Sequence, residues 1–182
     1  MSGDVVSGGR PCPRSSALNG DDLRGRDTRT LLRQYAETLT ILKERNVIRS
    51  RNAPAGDLAE TLVMKAYHGR LAPASQKSWD VEVPDGTRLQ VKSRLVAPNS
   101  RSSQIYSAFR SWDFDRCVFV LFDISSYDVL RATDVPVERV RSVARRSEWV
   151  AADRISLATD LMALEDARDV TDLLSAALTA LN

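Results

Sequence analysis

Four side chains within one short stretch are of types that could do chemistry together: Asp80 and Glu82, then Gln90 and Lys92. Trp79-Asp80-Val81-Glu82-Val83 and Arg88-Leu89-Gln90-Val91-Lys92-Ser93-Arg94 each alternate apolar and polar residues. Pro84-Asp85-Gly86 between them is turn chemistry, so the spacing predicts a β-hairpin. Its register follows from burial. Trp79, Val81 and Val83 share a buried face with Leu89 and Val91, because a slip of one residue would expose one set or the other. Even residues then meet even ones, and Asp80 and Glu82 oppose Gln90 and Lys92 on the other face. A carboxylate, an amide and an amine converge on one side of two adjacent strands. The same residues also fit ordinary cross-strand pairs on a wet face, each worth about 0.2–1 kcal/mol.

A further carboxylate, Glu60, precedes the hairpin, and basic residues follow it. From Arg88 to Arg116 there are six Lys/Arg (Arg88, Lys92, Arg94, Arg101, Arg110, Arg116) against two acids (Asp113, Asp115). That local excess suits a surface that tracks phosphates. One histidine, His68, and two cysteines, Cys12 and Cys117, are too few for a multi-histidine or cysteine-rich zinc site.

The elements that must position these groups can be read in order. Residues 1–26 are rich in Gly, Ser, Pro, Asp and Arg without periodicity and read as a disordered leader. Residues 27–182 read as a single domain. Leu31, Leu32, Tyr35, Leu39 and Leu42 recur at helical spacing, with Asp27 as N-cap. A second helix, from Asp57 to Tyr67 and stopped by Gly69, is apolar almost all round and should be buried. Glu60 is its exception, as a functional carboxylate or as the return half of a capping box with Asp57. Cys117 to Phe122 suits a strand covered on both faces, and Tyr127 to Thr133 reads as its neighbour. Pro136 opens a helix with Asp134 as its cap, and Arg139, Arg141, Arg145 and Arg146 form its basic side. Arg154 to Leu157 reads as a short last strand, and Asp169 to Leu181 as an amphipathic terminal helix.

Composition sets wider bounds. The 182 residues, 43% hydrophobic and 27% charged, are enough for one domain with a real core. The net charge of +2 is too small to argue for a polyanion partner, so the placement of charge carries that argument instead. No apolar run approaches the roughly 18 residues of a membrane span. The few cysteines and the lack of a signal-peptide core lead us to expect a cytoplasmic protein without disulfides or membrane contact.

Taken together, Glu60 on a buried helix, Asp80 on the first hairpin strand and Gln90-Val91-Lys92 on the second resemble the motifs of the PD-(D/E)xK nuclease superfamily. That superfamily includes restriction endonucleases and Holliday-junction resolvases. The likeness spans roughly Gly56 to Leu157 and is to the variant in which Gln replaces the acid of the last motif, as in Mrr-like restriction enzymes. Trp79 stands where the superfamily motif has Pro. The resemblance implies a mixed α/β fold with a restriction endonuclease-like αβββαβ core, extended by an N-terminal and a C-terminal helix. It implies metal-dependent hydrolysis of DNA phosphodiesters, with Mg²⁺ (or Mn²⁺ in its place) as cofactor. Asp80 would be the principal ligand, joined by the Gln90 side-chain carbonyl, the Val91 backbone carbonyl and Glu60, while Glu82 is a spare. Lys92 would orient the attacking water and stabilise the transition state. Lys77, Arg94, Arg101 and Arg110 would contact DNA, and a paired cut would favour a homodimer. Two other readings fit the same residues: a nucleic-acid-binding protein that keeps this fold without the chemistry, and an unrelated α/β domain.

Overall fold

A computed structural model of the chain describes residues 20–73, 75–76, 78–97 and 104–181. The chain divides into two compact units, Met1–Thr38 and Leu39–Asn182. In the first, a short helix α1 (Gly20–Arg24) lies inside the stretch read as a leader, whose residues 1–19 fall outside the described ones. Helix α2 (Thr28–Glu44) starts at Asp27 as expected, whose Oδ1 accepts the Thr30 N–H at 3.1 Å. The end of α2 belongs to the second unit, where Leu39 is buried and Leu42 packs beside it.

The second unit is mixed α/β. Helix α3 (Ala55–Ala66) is followed by β1 (Arg70–Leu71), β2 (Val81–Glu82), β3 (Arg88–Val96), β4 (Arg116–Asp123) and β5 (Val129–Pro136). Then come α4 (Val137–Val143), β6 (Arg145–Ser147), β7 (Ala152–Arg154), β8 (Arg168–Asp169) and α5 (Thr171–Thr179). The main sheet runs β1-β2-β3-β4-β5-β8, with β3 and β4 parallel and the other neighbours antiparallel. The α/β class expected from the sequence is what is seen. Between β3 and β4, the described residues of the crossover form no helix; α4 comes only after β5.

The register of the hairpin is the one alternation dictates. Val81 pairs with Leu89 and Glu82 with Arg88 across a five-residue connection, Val83–Thr87. Leu89 and Val91 on β3, and Val118, Val120 and Phe122 on β4, bury against Leu58, Leu62 and Val63 of α3 and Leu174 of α5. The other face of the sheet is not wet. Tyr106, Phe109 and Phe114 from the crossover cover it with Val140 of α4 and Ile155, making a second core with Cys117, Phe119 and Val135. A strand buried on both faces reads as a continuous apolar run, which is what Cys117–Phe122 is.

Several local expectations are corrected. Trp79 does not share the face of Val81; the chain bends at Asp80 and the indole buries in the second core. Asp57 and Glu60 form no capping box, because Pro54 occupies the N-cap and Asp57 turns back to accept the N–H groups of Arg49 (2.9 Å) and Ser50 (2.6 Å). Asp134 does not cap α4; it is buried on β5, where Arg116 (2.8 Å) and the Tyr67 hydroxyl (2.9 Å) donate to it. The short strand expected at residues 154–157 lies earlier, as β7 (Ala152–Arg154), pairs with β6 in a separate two-stranded sheet, and is followed by β8. No described helix is long and apolar enough to cross a membrane.

Candidate active site

A helix and a hairpin bring their polar side chains to one open cleft of about 490 Å³. Glu60 comes from α3, Asp80 from the bend before β2, and Gln90, Val91, Lys92 and Arg94 from β3. The hairpin register explains the meeting. The Asp80 N–H donates to the Leu89 carbonyl at 2.8 Å, which sets Asp80 beside Gln90. Asp80 Oδ2 then accepts the Val91 N–H at 2.7 Å and a short hydrogen bond from Gln90 Nε2.

The Val91 bond has a consequence for the backbone. In an extended strand the N–H and C=O of one residue point to the same edge. Val91 therefore turns its carbonyl toward the edge that β2 leaves uncovered beyond Asp80, where the Gln90 amide reaches it at 3.5 Å. An acceptor on the strand backbone thus stands next to the Asp80 carboxylate.

Lys92 is buried, with 8% of its surface exposed. Its Nζ donates to the Ala108 carbonyl at 3.3 Å and lies 4.8 Å from the centre of the Phe109 ring, a favourable place for a cation. Burial pushes its pKa down, opposed by the negative charge of Asp80 and reinforced by the positive charge of Arg110. Burial also pushes the Asp80 pKa up, against the Val91 hydrogen bond and the charge of Lys92. Glu60 is raised to about 7, first by burial and then by Asp80, with Arg49 opposing. In this shielded cleft the charge of Asp80 thus adds to burial in raising Glu60. A carboxylate raised by burial and by a neighbouring charge, in a cleft, marks a candidate functional site.

Arg49 is the residue that sequence reading missed. Its guanidinium makes a short ion pair with Glu60, and Nη1 donates to the Ala72 carbonyl at 3.0 Å. The only signal was its place in the basic connection between α2 and α3. Ala53, Ala55 and Gly56 on one rim, and Gln104 and Ser107 on the other, also line the cleft and carry no motif.

Of the residues expected to contact DNA, Arg94 lines the cleft, its Nε donating to the Ile105 carbonyl at 2.7 Å. Arg110 is exposed and close enough for its charge to act on Lys92. Lys77 and Arg101 lie outside the described residues. Glu82, the spare ligand, is not in the cleft: opposite Arg88, it pairs instead with Arg70 at 2.6 Å.

Among the described residues no three His, Cys, Asp or Glu side chains gather around one point. What the cleft offers is two carboxylates, a backbone carbonyl and an amide. A hard cation such as Mg²⁺, which keeps several waters, asks no more than one or two carboxylates of the protein. The donor set fits it.

Compared with models of known protein families and with curated proteins, the sequence matches none.

Proposed function

We propose that the chain is a metal-dependent DNA endonuclease of the PD-(D/E)xK kind, acting in the cytoplasm. The observation that carries this reading is the convergence of Glu60, Asp80 and Gln90-Val91-Lys92 on one cleft, from a helix, the bend before β2 and strand β3. Asp80, the Val91 carbonyl and Glu60 would hold Mg²⁺. Gln90 would join them by turning its amide, since Nε2 now faces Asp80. A bound Mg²⁺ supplies Lewis-acid polarisation of the phosphoryl oxygen and makes water a better nucleophile at neutral pH.

The protein's own groups do the rest. Lys92, held by the Ala108 carbonyl and the Phe109 ring, keeps a positive charge in a shielded place, where it stabilises charge added to the phosphoryl group. Arg94 and Arg110, at the rim and just beyond it, hold the DNA backbone. Arg49 limits the rise in the Glu60 pKa, because its guanidinium opposes burial and the charge of Asp80. A double-strand cut would use two copies of the chain.

One observation favours a second reading, a nucleic-acid-binding protein without cleavage. Arg49 already neutralises Glu60, and the Gln90 amide nitrogen already satisfies Asp80. The test is a Mg²⁺ titration of plasmid nicking by the wild type, Gln90→Glu and Gln90→Ala. The nuclease reading expects Glu to lower the Mg²⁺ requirement and Ala to raise it. Three superimposed curves would remove Gln90 from the site, and absence of nicking by all three would favour the binding protein.

A further inference from the structure

The small sheet outside the main one sets two arginines directly against each other. Across β6 and β7, Arg146 opposes Asp153 and Arg145 opposes Arg154. The first pair is complementary, with 3.8 Å between guanidinium and carboxylate. The second is not, and like charges directly opposite on paired strands destabilise them. Neither Arg145 nor Arg154 has an ion-pair partner among the described residues.

Alternation along β7 fixes where the pair points. Asp153 accepts the Trp112 indole N–H at 3.0 Å and Ile155 is buried, so Arg154 between them faces the other way. There Arg145 and Arg154 line an open cleft of about 590 Å³ with Ser142, Ser156 and Thr159, and no carboxylate lines it. The Ser142 hydroxyl donates to the Arg139 carbonyl at 2.8 Å. Ser156 Oγ accepts the Ala158 N–H at 3.1 Å, which leaves its O–H to donate outward. Two guanidinium groups beside a hydroxyl donor match the oxygens of a phosphate.

The position relative to the Asp80 cleft is set by hydrogen bonds. Tyr106 N–H donates to the Ile155 carbonyl at 2.9 Å, Phe109 N–H to Asp153 at 2.8 Å, and Leu157 N–H to Gln104 at 3.0 Å. Gln104 and Ser107 on that segment line the Asp80 cleft. β6 is therefore two strand spacings, roughly 10 Å, from the wall of the cleft. A strand of nucleic acid covers that distance in about three nucleotides.

We propose that Arg145 and Arg154 form a phosphate clamp that grips the nucleic-acid backbone beside the cleavage cleft. The clamp rests on the nuclease reading for the identity of its ligand. It also explains why a like-charged pair is kept, since its cost to folding is offset when a phosphate sits between the two guanidinium groups.

The experiment is binding of a labelled DNA duplex, with chelator present to prevent cutting, across a series of salt concentrations. The full chain is compared with Arg145→Ala/Arg154→Ala, with Arg154→Gln and with Arg154→Glu. Each lost phosphate contact should lower the slope of log K against log salt by about 0.9. The double variant should lose about 2 from the slope and Arg154→Gln about 1, a reading that survives if the double variant fails to fold. Arg154→Glu makes a complementary pair with Arg145, so its melting temperature should rise while its DNA affinity falls. Wild-type slopes in Arg154→Gln and Arg154→Glu overturn the clamp and leave the nuclease reading standing wherever Asp80→Asn still abolishes cleavage in a parallel assay. A wild type that binds no duplex at any salt overturns both.

Discussion

Asp80 carries two loads, and they can be separated. Its Oδ2 accepts the Val91 N–H, so Asp80→Ala leaves a buried backbone donor without its acceptor. That should cost about 1–3 kcal/mol of stability in urea denaturation. Asp80→Asn keeps an acceptor oxygen and should lose far less, while removing the charge a metal needs. Sequence alone puts Asp80 on a solvent face, where truncation is nearly neutral; the second core overhead makes it expensive. A wild-type midpoint for Asp80→Ala would show that the Val91 bond contributes nothing. Glu60 predicts a pH effect in the metal-free protein. Its pKa is raised from an ordinary 4.5 to about 7, so the folded state binds the proton more tightly than the unfolded chain. The stability this confers is complete below about 4.5 and is lost as pH rises through 7. The loss should be on the order of 1–3 kcal/mol. Glu60→Gln should flatten that part of the stability profile, and an unchanged profile would place the titration elsewhere.

Among the elements, the site depends on how α3 hands the chain to β1. His68 takes a positive φ of 53°, and the Gly69 N–H closes the helix on the Met64 carbonyl at 2.9 Å. A Cβ at Gly69 would stand 2.7 Å from the Glu82 carbonyl oxygen and 2.8 Å from Val81 Cγ1. Both belong to β2, the strand that directly follows Asp80. Gly69→Ala should therefore destabilise by about 1–3 kcal/mol and reduce activity by displacing β2. Thermal melting and nicking rate should fall together; a fully stable, active variant would show that β2 does not set the site. This dependence was partly legible. Gly69 reads as a helix stop, and the alternation of apolar residues along the two strands gives the hairpin register. The steric reason for Gly69 was not legible, because it lies in a strand twelve or more residues away.

Across the full chain, local patterns revealed the elements and long-range packing decided their surroundings. Alternation was enough to find β3, and the apolar run from Cys117 was enough to find β4. The crossover that carries Tyr106, Phe109 and Phe114 has no period, so its aromatics suit a core without showing that they close over Lys92. Arg49 escaped for the same reason: one basic residue in a polar connection looks like any other. A site lined by Asp80 and Glu60 should also stabilise the fold when a divalent cation binds. A cation at a hundred times its dissociation constant adds about 2.7 kcal/mol, which raises the melting temperature. Ca²⁺ or Mg²⁺ should produce that rise in the wild type and not in Asp80→Asn. Equal rises in both would put the cation somewhere else.

If Asp80 and Lys92 make this cleft a nuclease, the decisive substrate is supercoiled plasmid. It would be incubated with the wild type, Asp80→Asn and Lys92→Ala, in Mg²⁺ and in chelator. Conversion to nicked or linear DNA is expected from the wild type in Mg²⁺ only, with a loss of at least about a hundredfold in each variant. Cleavage that persists in chelator, or that proceeds at the wild-type rate in folded Asp80→Asn, would contradict the assignment.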